Sequence, residues 1–225
     1  MTARTPYLGQ MRGASLFGSV CVSLILAGCT YSAEMIDDAG LEYEPLVERL
    51  PVIIGIYYSD DFTNNIVRAK AEEVGDTYVF DVGECSVLLF NQVVNSMFRD
   101  VKHIDSPPSH QAQEMTVAGV LIPKFISLDV ATGRSGVGFK QSKTVSVNYE
   151  INLVERDGSE IDSWQVSGTG VKTHGPTYFR GKYASDAARE AIRDALAKFL
   201  VQFEEREITR YRLLEIDASV DDIRE

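Results

Sequence analysis

Six side chains have the types that attack, ligate or accept a modification: Cys21, Cys29 and Cys85, and His103, His110 and His174. The histidines fall in no HExxH pattern and in no other standard ligand spacing, so no metal and no other cofactor is expected. His103 and His110 flank Pro107 and Pro108 and read as solvated loop residues. Cys85 lies among Val82, Val87, Leu88 and Leu89, the setting of a buried, inert thiol. A hydrolase would need Cys85 or His174 to converge with carboxylates in a pocket. Gly133, Gly136 and Gly138 cluster with Ser135 and Lys140, but the GxxxxGK-Ser/Thr phosphate cradle is missing, so the cluster reads as a hairpin tip. Arg134, Lys140 and Lys143 make that tip a local basic patch, a candidate contact for an anionic partner or headgroup. Asp60-Asp61 and Asp221-Asp222 lack a calcium-loop pattern. Gly168, Gly170, His174, Gly175 and Tyr178 read as a flexible, aromatic-bearing segment, either a binding loop or a long connection.

Cys29 stands apart because of what precedes it. Arg4 and Arg12 occur without an acidic residue, an apolar run extends from Leu16 to Leu26, and the small residues Ala27 and Gly28 follow. These are the three parts of a secretory signal. The run is too short to span a bilayer, which takes about 20 apolar residues. Met11 is an alternative start, with Arg12 alone as the basic flank. The junction Leu26-Ala27-Gly28-Cys29 resembles the lipobox of bacterial lipoproteins. The resemblance implies a diacylglyceryl group on the Cys29 thiol, cleavage between Gly28 and Cys29, and acylation of the new amino terminus. One acyl chain binds a membrane only marginally, and two or more anchor stably. Thr30, rather than Asp, follows the cysteine. By the same resemblance this points to the periplasmic face of the outer membrane, with the inner membrane or cell surface as the alternative.

The 225 residues carry a formal charge of −11, with 44% hydrophobic and 24% charged residues. Removing residues 1–28 takes away two arginines and no acidic group, leaving −13. Such a chain has no electrostatic footprint for nucleic acid. With Cys21 removed and Cys29 acylated, Cys85 has no partner for an internal disulfide. What remains is long enough for one domain with its own core.

Residues 30–50, rich in Ser32, Glu34, Asp37, Asp38, Glu42 and Glu44, read as a lipidated acidic tether starting at Cys29. A single α/β domain is expected over 51–207 and a charged, frayed tail over 208–225. Strands are predicted at 52–58, 78–82, 116–130 (with a bulge or edge position at Pro123), 145–153 and 160–171. Asp157-Gly158 marks a tight turn between the last two. The pattern predicts a short helix over 64–74 and a long one from Glu84 to Asp100. A final helix starts near Ser185, buries Ala188, Ile192, Leu196, Phe199 and Phe203, and uses Ala191 and Ala195 to approach a sheet closely. The expected fold is α/β in the α+β sense: one mixed sheet of about five strands with two main helices on one face.

This layout, behind a lipobox and an acidic segment, resembles accessory lipoproteins of envelope transport and assembly machines, including the auxiliary lipoproteins of ABC-type transporters. The resemblance implies a non-catalytic component that reaches the membrane through lipid on Cys29 and binds an envelope protein complex. The alternatives are a lipid or glycolipid carrier with an apolar cavity, and an envelope hydrolase.

Overall fold

The computed structural model describes residues 30–33, 35, 48–71, 75–108, 116–134, 141–174 and 180–221. Over these the chain is a mixed α+β fold with four helices and two sheets. The five-stranded sheet consists of β2 (Leu50–Ile56), β5 (Phe98–His103), β6 (Gly119–Arg134), β7 (Gln141–Val154) and β8 (Glu160–His174), in the order β5-β2-β6-β7-β8. The three-stranded sheet has the order β1-β4-β3, from β1 (Thr30–Ala33), β3 (Ile66–Ala71) and β4 (Asp76–Asp81). The helices are α1 (Asp60–Thr63), α2 (Val82–Met97), α3 (Arg180–Glu204) and α4 (Glu207–Asp221).

The α+β expectation holds, but the single sheet does not. β4 has both edges occupied, parallel to β1 and antiparallel to β3, so it cannot join the larger sheet. Ile66–Ala71, expected as a helix, alternates outward Ile66, Arg68 and Lys70 with inward Ala69 and Ala71, a period of two. The fifth strand of the larger sheet is instead β5. Phe98, expected inside the long helix, has extended dihedrals (φ −123°, ψ 158°) and begins that strand, parallel to β2.

The two long antiparallel pairs follow the sequence pattern closely. Val145, Val147, Tyr149, Ile151 and Leu153 point into the core from β7, while the residues between them are half-exposed. Gly158, at φ +90°, turns the chain from β7 to β8. Pro123 pairs with Ile151, and the register shift falls between Phe125 and Ser127 instead. The β2 ladder on the proline side ends at Leu121, so the missing Pro123 N–H removes no strand hydrogen bond.

Helix α3 lies on β7 and β8, with Ala188, Ile192, Leu196, Phe199 and Phe203 fully buried as the spacing predicts. Phe199 and Phe203 meet Trp164 of β8 at ring-centroid distances of 5.4 and 5.9 Å. The helix already runs at Arg180, so Ser185 is not its cap. Ser185 is buried one turn in and donates to the Lys182 carbonyl at 2.8 Å. Gly168 and Gly170, expected in a flexible segment, are interior residues of β8 beneath this helix. They are small because the helix backbone runs directly over them. A Cβ on Gly168 would sit 1.9 Å from the Ala191 carbonyl oxygen, and one on Gly170 2.0 Å from that of Ala187.

The 208–225 tail is corrected over most of its length by α4. Leu213 and Ile216 join the main core, and Thr209 is buried. Arg206, Arg212 and Asp217 pair with Asp162 (2.7 Å), Glu155 (3.0 Å) and Arg99 (3.5 Å). The charges seen in the sequence are the outer face of an amphipathic helix. At the other end, Thr30–Ala33 is not a spacer: β1 pairs along its whole length with β4, Tyr31 stacks on Tyr78 at 5.7 Å, and Ala33 and Met35 are buried. Residues 1–29, 34 and 36–47 lie outside the described residues.

β8 is an edge strand, and α3 covers part of its open ladder. Asp194 accepts from the Thr169 N–H at 2.9 Å, and Lys198 donates to the Ser167 carbonyl at 2.9 Å and to Asp194 at 2.8 Å. Burial raises the Asp194 carboxyl, but the bonds from Lys198 and Thr169 outweigh it and hold the group below the usual carboxylate range. A depressed folded-state value stabilises above the unfolded carboxylate range, and the gain is lost as pH falls through the folded value. Because the pair is solvent-screened, the contribution is under about 1 kcal/mol. Asp194→Asn is expected to speed amide exchange at Thr169 at neutral pH and to remove its acid sensitivity. Exchange identical to that of the parent would show that this bond does not close the edge.

Candidate functional site

Among the described residues, His103 and Cys85 belong to different elements, β5 and α2. Cys29, Gly28, Lys140 and His110 lie outside the described residues. Arg134 and His174 are the last residues of β6 and β8, and their side chains are likewise not described. His103 is exposed at the end of β5, its ring 6.1 Å from that of Tyr58.

Lys143, expected in a surface patch with Arg134 and Lys140, is instead buried. It sits on the inward row of β7 with 0% exposure, donates to Thr132 Oγ1 at 2.7 Å, and lies 4.8 Å from the Tyr78 ring centroid. Tyr78 in turn donates to Asp76 Oδ2 at 3.2 Å. This buried polar cluster joins β4 of the small sheet to β6 and β7 of the large one. The strand alternation of β7 places Lys143 in phase with Val145 and Val147, which is why it points inward.

Cys85 lies in the first turns of α2, buried, at the floor of an open cleft of about 710 Å³. The walls come from α1, the start of β3 and α2. Ile66, Val87 and Leu88 supply apolar surface; Asp81, Glu84, Asn64 and Asn91 supply polar groups. Ile66 is 61% exposed and Leu88 39%, so the apolar rim faces solvent. Asp81 occupies the N-cap of α2 without its side chain bonding to the helix, which leaves that carboxylate at the cleft. Asn91 accepts from the Tyr58 hydroxyl at 2.8 Å, which fixes its amide. Gly83 lets α2 start against α1: a Cβ there would lie 2.2 Å from the Thr63 carbonyl oxygen.

Burial pushes the Cys85 thiol up to about 11; Arg189 and Arg193 pull it down, while Asp81 and Glu84 push it further up. A nucleophilic cysteine needs the opposite shift. Cys85 is therefore expected to be unreactive toward iodoacetamide at neutral pH in the folded protein and to react fully in denaturant. Rapid labelling of the native chain would contradict this setting. Among the described residues, no three His, Cys, Asp or Glu side chains come together as metal ligands, and no helix is long and apolar enough to cross a membrane.

The cleft was not foreseen in the sequence. Its walls come from elements far apart in the chain, and one of them, β3, carries helix-like composition. The usable signal was Ile66-Val67 following Asn64-Asn65, a β-branched pair directly after a helix-ending residue type.

No protein-family model matches the chain, and no curated protein does. Among solved structures, a protein from Xanthomonas campestris is similar at 8% identity and a TM-score of 0.44, over 79% of this chain and 99% of that one. A minor lipoprotein from Acinetobacter baumannii is 6% identical with a TM-score of 0.38, over 69% of this chain and 92% of that one. A neuraminyllactose-binding hemagglutinin homolog from Helicobacter pylori is 11% identical with a TM-score of 0.38, over 80% and 97%.

Proposed function

We propose that this chain is a lipid-anchored lipoprotein of the bacterial cell envelope, held on the periplasmic face of the outer membrane. There it serves as a non-catalytic binding component of a transport or assembly complex. The observation that carries the reading is Leu26-Ala27-Gly28-Cys29 behind an arginine-bearing, apolar flank. The cleft beside α2 supports a binding role, because its apolar rim is exposed and its thiol is shifted away from reactivity. A carrier of lipid or glycolipid is the second reading, favoured by the apolar wall of Ile66, Val87 and Leu88.

Photo-crosslinking in intact cells separates the readings. A photoreactive residue replacing Leu88 is expected to capture one reproducible envelope protein, and the product should fade when Asp81 and Glu84 are replaced by alanine. A crosslinked acyl lipid would favour the carrier. Capture no greater than from Ser163, on the wet face of β8, would contradict a binding role for the cleft.

A further inference from the structure

The position of β1 bears on how an anchor at Cys29 would hold the domain. A flexible spacer over residues 30–50 would give a root-mean-square reach of about 25 Å, and the domain would tumble freely above the membrane. The first residues of that span, Thr30–Ala33, are a strand instead. Cys29 is one peptide bond, about 3.8 Å between Cα atoms, from Thr30. Thr30 is already in register with Thr77, and Tyr31 with Tyr78. The strand is fixed from its other side by α3, whose Gly181 comes so close to the Ser32 carbonyl oxygen that a Cβ would lie 2.4 Å from it.

The same end of the molecule gathers several chain ends. β4 starts there at Asp76 and β3 finishes there at Ala71, in register with each other. Lys143, two residues from the β7 start at Gln141, reaches the Tyr78 ring. α3 begins there with Lys182 exposed, and Lys70 is exposed on β3. The far end is marked by Glu160 at the start of β8, about 45 Å from His174 by strand length.

We propose that the domain is joined to its lipid anchor without a spacer, so that the end formed by the starts of β1, β4 and α3 rests on the lipid headgroups. This rests on the anchor reading above and adds an orientation to it: β7 and β8 run away from the membrane, from Gln141 and His174 at the near end to the β7–β8 turn outermost. Thr30–Ala33, directly after the anchor cysteine, are then a strand of the fold and not a stalk.

The test uses the full acylated chain in vesicles of phosphatidylethanolamine and phosphatidylglycerol containing brominated lipid. A fluorophore is placed on Lys182→Cys or on Glu160→Cys; Cys85 is buried and does not compete. The Lys182→Cys label is expected to lose most of its fluorescence, and the Glu160→Cys label none. Inserting a twenty-residue Gly-Ser spacer between Cys29 and Thr30 is expected to restore the Lys182→Cys signal while the protein still floats with the vesicles. Equal signals at both sites before insertion, or quenching unchanged after it, would overturn the orientation. Failure to float at all would overturn the anchor instead, so the two can fail separately.

Discussion

Gly168→Ala is expected to lower the melting temperature by roughly 6–12 °C, from about 3 kcal/mol of lost stability in a domain of this size. The added methyl would lie 1.9 Å from the Ala191 carbonyl oxygen and 2.4 Å from the Ala195 amide nitrogen. Both are helix backbone, so no rotamer change relieves the contact, and α3 must lift by about the radius of a methyl group. Lifting it opens the packing of Phe199 and Phe203 on Trp164. Gly170→Ala meets the same obstacle at Ala187 and Ala191, and because the two sites share one helix their costs do not add. Ser167→Ala, exposed on the same strand, is the control with no expected change. A Gly168→Ala melting temperature equal to that of the parent would mean that α3 does not sit on these glycines.

Lys143→Ala is the second large effect. It empties a fully buried volume and removes the donor to Thr132 and the cation beside Tyr78, a loss of about 3 kcal/mol. Lys143→Met keeps most of the volume and is expected to cost about 1 kcal/mol, since an apolar group of similar shape removes the buried charge without leaving a void. Thermal or urea unfolding distinguishes the two. The surface-patch expectation makes the reverse forecast: unchanged stability and weaker binding to anionic vesicles. Equal stability of the parent and Lys143→Ala would restore it.

The parts of the fold legible in the sequence are those whose burial sets a clean period. β7 alternates over its length, and α3 shows its stripe from Ala188 to Phe203. Even the small Ala191 and Ala195 announce a close approach, although their counterparts Gly168 and Gly170 do not. A glycine beneath a helix and a glycine in a loop are the same letter, and only the packing separates them. β1 and β3 were hidden for a related reason. Each is short, four and six residues, and owes its strand state to pairing with β4 rather than to its own composition. Lys143 was misplaced because charge suggests exposure, whereas the strand phase that turned it inward was already visible in Val145 and Val147.

The candidate site divides the same way. Cys85 as an inert buried thiol follows from its apolar neighbours in the chain. The cleft above it depends on α1, β3 and α2 meeting, and Asp81 becomes relevant only because α2 starts without using its carboxylate. Asn91 of α2 lines the cleft and accepts from the Tyr58 hydroxyl.

The most direct test of the central claim is fractionation of cells carrying Cys29→Ser beside the parent chain, with mass spectrometry of the amino-terminal peptide. The account predicts a parent that begins at an acylated Cys29 and stays with the membranes, and a variant that retains its leader and carries no diacylglyceryl group. A serine variant that is cut at the same bond and still fractionates with membranes as the parent does would contradict it.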